Sequence, residues 1–208
     1  MEATIAKLQT IAHGFKPIEG AAKRIFECKT TDDCFAYAYG FLKYNSYQIR
    51  CLGVFILGKI AAKNPRALQI LQLEVSNDPS WQVQETLAKA FDQYCKDVGY
   101  ENALPTIKDW LQDTNPNVCR AATEGLRIWT GRSYFAQHPE VAIQLLSSQK
   151  NNDSAYVRKS VGNALRDINK KYPQAIATEI SSWNIDTPNT RFTYNYVTKD
   201  ARKKKAIA

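Results

Sequence analysis

Three carboxylates, Glu85, Glu124 and Asp167, fall on the polar sides of segments with helical spacing. Singly each reads as an ordinary residue of a solvated helix face; held together on a rigid face, carboxylates can stabilise a developing positive charge or position a water. Trp81 lies one turn before Glu85. Either its ring packs at the start of the helix, or it offers a face to a cationic ligand whose charge the carboxylate balances. Asn163 and Lys159 precede Asp167 at four-residue steps, so a cation, an amide and a carboxylate share one stripe. Arg50, Arg120, Arg127, Arg158, Lys159 and Arg166 sit near the same level of their helices. Singly they are ordinary snorkelling residues; together on a concave face they would form a phosphate track. Other chemistries find no support. His13 and His138 are far apart, so no metal spacing exists, and there is neither a Gly-rich phosphate loop nor a nucleophile elbow.

The elements that must position these residues repeat. Ile49, Val83, Val118 and Val157 open matching apolar patterns at intervals of 34, 35 and 39 residues. That period, with two helices per unit, predicts an all-α solenoid of the HEAT or armadillo kind. Eight residues on, Leu57, Phe91, Leu126 and Leu165 form the shared core column. Two residues on stand Cys51, Glu85, Arg120 and Lys159, and six residues on stand Phe55, Lys89, Glu124 and Asn163. These two columns lie on one side of each helix, roughly 130° from the core stripe. Trp129 falls on a core column with Ile60, Tyr94 and Ile168.

About six helix pairs are expected, with a concave basic groove, in one HEAT-like repeat domain spanning 1–208. Helices are expected over 1–14, 17–28, 31–43, 46–63, 65–76, 81–98, 100–113, 117–129, 139–150, 155–171 and 173–183, and from about Asn189. The stretch from Thr130 to His138 reads as an irregular link.

The net charge of +8 favours a polyanionic partner. The longest apolar run, from Leu52, is broken by Lys59 and is too short to span a bilayer. The first residues, MEATIAKLQTIAHGF, lack the basic start and cleavage site of a signal peptide. Five cysteines without a CxxC pair fit free thiols in a reducing cytosol. A monomer in the bacterial cytosol is the expectation.

NPNVCRAATEGLR, from Asn115, and DSAYVRKSVGNALRDINKKYP, from Asp153, resemble strings of the HEAT-like-repeat DNA alkylation repair family, the AlkC/AlkD-type DNA glycosylases. DPSWQVQETLAKAF from Asp78 is a weaker match. The resemblance covers roughly residues 45 to 205 and points more to the AlkC-like branch. It implies excision of N-alkylated cationic bases, of the 3-methyladenine type, from duplex DNA without metal or cofactor. Glu85, four residues after Trp81, matches a catalytic acidic position. Glu124 matches the Glu of a Ser-Glu-Gly string, and Asp167 the Asp that follows a Ser-Val-Ala-Asn string. Trp81 and Asn163 would contact base or sugar; Arg120, Arg127, Arg158, Lys159 and Arg166 would hold the DNA. The chain departs from the family pattern in three places. Cys119 replaces a usual Arg, residues 128–135 replace a Pro-Arg-rich link, and Ala164 and Arg166 replace a His and an Asn. The alternatives are a non-catalytic relative that binds damaged or branched DNA, and a protein-binding HEAT scaffold.

Overall fold

The computed structural model describes residues 1–200, and no strand occurs among them. The basic run Ala201–Lys205 lies outside the described residues. Among the described residues, thirteen α-helices and two single 3₁₀ turns gather into two compact units, divided between Gly99 and Tyr100.

Proline punctuates the chain. Seven helices carry it in their first two positions, where its missing N–H costs nothing and its fixed φ favours the first turn. Side-chain caps complete several starts. Thr30 accepts from the Asp33 amide, and Asn64 accepts from the Arg66 and Ala67 amides.

The first unit contains α1 (Glu2–Gln9), α2 (Lys16–Cys28), α3 (Thr31–Phe41), α4 (Tyr47–Ile60), α5 (Pro65–Leu73) and α6 (Trp81–Val98). Its centre is α4, an almost wholly apolar helix that packs on α2, α3 and α6. Leu57 and Phe91 of the core column are fully buried there. Helices α4 and α6 approach so closely that a β-carbon on Gly58 would lie 2.7 Å from the Ala90 Cα.

The second unit contains α7 (Leu104–Leu111), α8 (Pro116–Gly125), α9 (Ser133–Gln137), α10 (Pro139–Ser147), α11 (Ala155–Asn169), α12 (Pro173–Ser181) and α13 (Pro188–Val197). Its centre is α11, which packs on α8, α10, α12 and α13 and buries Val157, Val161, Leu165 and Ile168. The stretch expected to be irregular, 130–138, instead holds a 3₁₀ turn (Trp129–Gly131) and α9. The reason is aromatic packing: Phe135 is fully buried, 5.0 Å from the Trp129 ring. Trp129 is a core residue, as its column implied, and its indole N–H donates to the Thr123 carbonyl.

The turns between paired helices repeat as well. The Ser80, Asn115 and Ser154 amides each donate to the side chain two residues back, on Asp78, Asp113 and Asn152. A side chain from the following helix then folds back onto the same turn. Arg50 donates to the Tyr44 and Asn45 carbonyls, Gln84 to the Asp78 carbonyl, and Arg158 to the Asn152 and Asp153 carbonyls. All three stand one residue after the aligned β-branched position, and Cys119 occupies that place in the remaining repeat. The usual Arg that Cys119 replaces would, by the same geometry, staple its turn. Cys119 instead donates its thiol to the Leu111 carbonyl at 3.1 Å.

All five cysteines are free, and only Cys28 is exposed. Burial pushes the Cys119 thiol up to about 12, with Asp113 adding to the rise. Burial likewise pushes Cys51 up to about 11, and Cys34 is raised by burial and then by Asp33. These groups are therefore protonated and shielded at neutral pH. A thiol-reactive chromogen is expected to label one cysteine rapidly in the native protein and five after denaturation. Rapid native labelling of several would contradict the packing described.

Candidate functional site

In the second unit, Glu124 comes from the last turn of α8 and Asp167 from the last two turns of α11. The α8–α11 packing brings them under one cation. Arg127 lies 3.6 Å from Glu124 through Nη1 and 3.3 Å from Asp167 through Nε. Lys170 closes the other side of Asp167 at 2.7 Å. Both carboxylates are largely buried, at 16% and 12% side-chain exposure, whereas Arg127 and Lys170 reach into solvent. Burial acts to raise the Asp167 carboxyl. Hydrogen bonds from Lys170 and Arg127, with their charges, outweigh it and hold the group below the usual carboxylate range. Asp167 is therefore ionised throughout the neutral range, a poor base and a good electrostatic partner for a cation.

Arg120 is buried, its guanidinium stacked 4.5 Å from the Tyr156 ring. Lys159 is exposed and in no ion pair among the described residues. Arg127 was missed as the bridge because its partner lies forty residues away in sequence. Only the α8–α11 contact brings the two together.

The other basic residues are also committed. Arg158 is buried, stapling its turn and lying 5.1 Å from the Phe192 ring. Arg50 pairs with Asp78 at 2.7 Å. Arg166 is mostly buried and pairs with Asp200 at 3.7 Å. Arg50 and Arg158 thus spend donors on their own turns. A guanidinium long enough to reach a phosphate is also long enough to fold back on its own turn. Asn163 is half-buried on α11, between Lys159 and Asp167.

In the first unit, Trp81, Glu85 and Lys89 stand at successive turns of α6. Trp81 is 66% exposed, so it does not pack into the helix start. Its ring is available to a ligand. Glu85 is half-buried and Lys89 exposed.

Arg127 is followed by a backbone feature that the sequence pattern does not show. Ile128 has φ 55° and ψ 52°, the left-handed region, and is 58% exposed. A β-branched residue there is strained by about 1–3 kcal/mol. Trp129, anchored in the core, and the Gly131 amide, which donates to the Ile128 carbonyl at 2.7 Å, hold it in place. Ile128→Gly removes the strain and little burial, against a Gly entropy cost of about 0.5–1 kcal/mol. A net gain of about 1 kcal/mol is expected, raising Tm by about 2–4 °C. A fall in Tm would show that the Ile128 side chain itself stabilises the link.

A family model described as DNA alkylation repair enzyme matches residues 12–201. The crystal structure of AlkD2 from Streptococcus mutans is 42% identical with a TM-score of 0.90, covering 92% of each chain. The smu.31 structure from Streptococcus mutans UA159 is 40% identical with a TM-score of 0.87, covering 89% of this chain and 92% of that one. Pseudomonas fluorescens AlkC, an alkylpurine DNA glycosylase solved on DNA containing an abasic site analog, shares the fold at 21% identity. Its TM-score is 0.71, with 97% of this chain and 56% of AlkC covered. The uncharacterized protein YhaZ of Bacillus subtilis (strain 168) is 30% identical over 108 residues, half of this chain and 30% of YhaZ. Identity and TM-score are thus higher for AlkD2 than for AlkC, whereas the sequence strings leaned towards the AlkC-like branch. The fold is an all-α solenoid of HEAT-like helix pairs, and the chain belongs to the DNA alkylation repair enzyme family.

Proposed function

We propose that the protein is a monomeric DNA glycosylase that excises N-alkylated, cationic bases of the 3-methyladenine type from duplex DNA. The observation that supports this most is the Glu124–Asp167 pair under Arg127, a buried anionic centre with a cationic cover. Alkylation makes the base a cationic leaving group, so the glycosidic bond is already weak and needs neither metal nor cofactor. The remaining demand is electrostatic: a sugar that becomes an oxocarbenium ion, and a water to meet it. Asp167, ionised and fixed, is suited to stabilise the sugar cation, with Glu124 beside it and Asn163 as the polar contact. Trp81 and Glu85 are the matching aromatic and carboxylate on α6, suited to a cationic base. Lys159 and Arg127 are the second unit's cations for backbone phosphates, with Arg120, Arg158 and Arg166 supporting the helices that carry them.

Arg127 must leave the carboxylates for a cationic base to approach. Removing Arg127 would leave two largely buried carboxylates under-compensated, so its departure must be coupled to arrival of another cation, which a cationic base supplies. The same contact favours a second reading. An arginine already seated between the two carboxylates mimics the cationic substrate, as a relative that binds DNA without excision could retain it.

Binding to duplex DNA at increasing salt tests the partner. Affinity should fall steeply with ionic strength, and Lys159→Glu should weaken binding to all sequences alike. Binding insensitive to both salt and Lys159 would remove the DNA reading. Release of free base from alkylated duplex separates the two readings: excision supports the glycosylase, and binding without excision supports the relative.

A further inference from the structure

A cleft of about 650 Å³ opens between α1 and α2 in the first unit. Three cations line it, Lys7, Lys16 and Arg24, and no carboxylate does. None of the three is in an ion pair among the described residues. Thr4 and Thr10 add hydroxyls, and buried Leu8 gives an apolar wall. Gly20 lines the cleft beside Arg24, and a β-carbon there would make only an ordinary contact with its Nη1 at 3.6 Å. Three uncompensated charges around one hollow repel each other, and a bound anion relieves that repulsion. The volume suits a single nucleotide, with an apolar side for base or sugar and a cationic side for phosphate. Lys16 also lines a neighbouring hollow of about 540 Å³ shared with His13, Glu19 and Lys89. That hollow, where Glu19 faces the two lysines, reaches α6, the helix that carries Trp81 and Glu85.

We propose that the α1–α2 cleft is a phosphate-binding site of nucleotide size, separate from the carboxylates of the second unit. Its ligand is a phosphate ester, either a backbone phosphate of a nucleic-acid strand or a free mononucleotide. The site does not depend on base excision, so it stands or falls independently of the glycosylase reading.

The test is an amide-resolved NMR titration of the full chain with deoxyadenosine monophosphate and, separately, with a short undamaged duplex. Saturable shifts in α1 and α2 with both probes support the site and identify backbone phosphate as a ligand. Shifts with the mononucleotide alone support it with a free nucleotide as the ligand; shifts with the duplex alone support it as a strand site. The Lys7→Gln/Arg24→Gln variant, checked for an unchanged melting temperature, should bind the effective probe about tenfold or more weakly. Absence of saturable shifts in α1 and α2 with either probe overturns the proposal, as does unchanged affinity in the variant. Retained base release alongside either failure would show that only the cleft proposal has failed.

Discussion

Asp167→Asn is expected to lower base release from alkylated duplex by two or more orders of magnitude. The substitution keeps the shape of the side chain and removes its charge. Loss of transition-state electrostatics on the scale of about 3 kcal/mol corresponds to that factor. Glu85→Gln is expected to act in the same direction and by a similar amount. Binding to undamaged duplex should hold or tighten in both variants, because a negative charge that repels phosphate has gone. The split separates chemistry from architecture. Asp167 itself is largely buried, but its two cations reach into solvent and can rehydrate, so the stability change in Asp167→Asn is read alongside the activity. A variant that loses excision and keeps its melting temperature assigns the charge to the reaction. Equal losses in binding, excision and stability would make Asp167 a structural residue.

The second large effect concerns Gly58. A helix-interior glycine normally gains about 1 kcal/mol on replacement by alanine. At Gly40 of α3 nothing lies within 4 Å of an added β-carbon, so Gly40→Ala should stabilise by about that amount. At Gly58 the added atom meets Ala90 backbone, with the Cα at 2.7 Å and the carbonyl oxygen at 3.0 Å. Backbone cannot move aside as a flexible side chain can. Gly58→Val should therefore destabilise by about 3 kcal/mol or more, as overpacking of a tight helix contact does. At about 2–4 °C per kcal/mol, its Tm should fall by roughly 6–12 °C while that of Gly40→Ala rises. Thermal melts of the two variants check the pair. A stable Gly58→Val protein would mean that α4 and α6 do not pack as closely as described.

The helical pattern was legible because burial imposes a 3.6-residue period on residue type. Leu57, Phe91, Leu126 and Leu165 are all fully buried, and Trp129 follows its core column. Helix starts were legible through proline, which is tolerated at few other places in a helix. The basic residues were not. An arginine beside a turn has the same sequence signature whether it meets a phosphate or folds back on a carbonyl. Arg50 and Arg158 do the second, and the matching action of Gln84 at the same repeat position was the available signal. Arg127 and Ile128 were illegible for different reasons. The first depends on a contact between distant helices, and the second on a left-handed backbone at a residue type that rarely adopts it. In the first unit, Trp81 could be read two ways until its exposure was known.

The central claim is that the buried anionic centre acts on a cationic base. It is tested most directly by incubating the purified protein with methylated duplex DNA and quantifying free base by chromatography. The account predicts release of 3-methyladenine by the wild-type protein and its near-abolition in Asp167→Asn. Duplex binding without release of any alkylated base would contradict it, leaving Glu124, Asp167 and Arg127 as an ion-pair network in a DNA-binding relative.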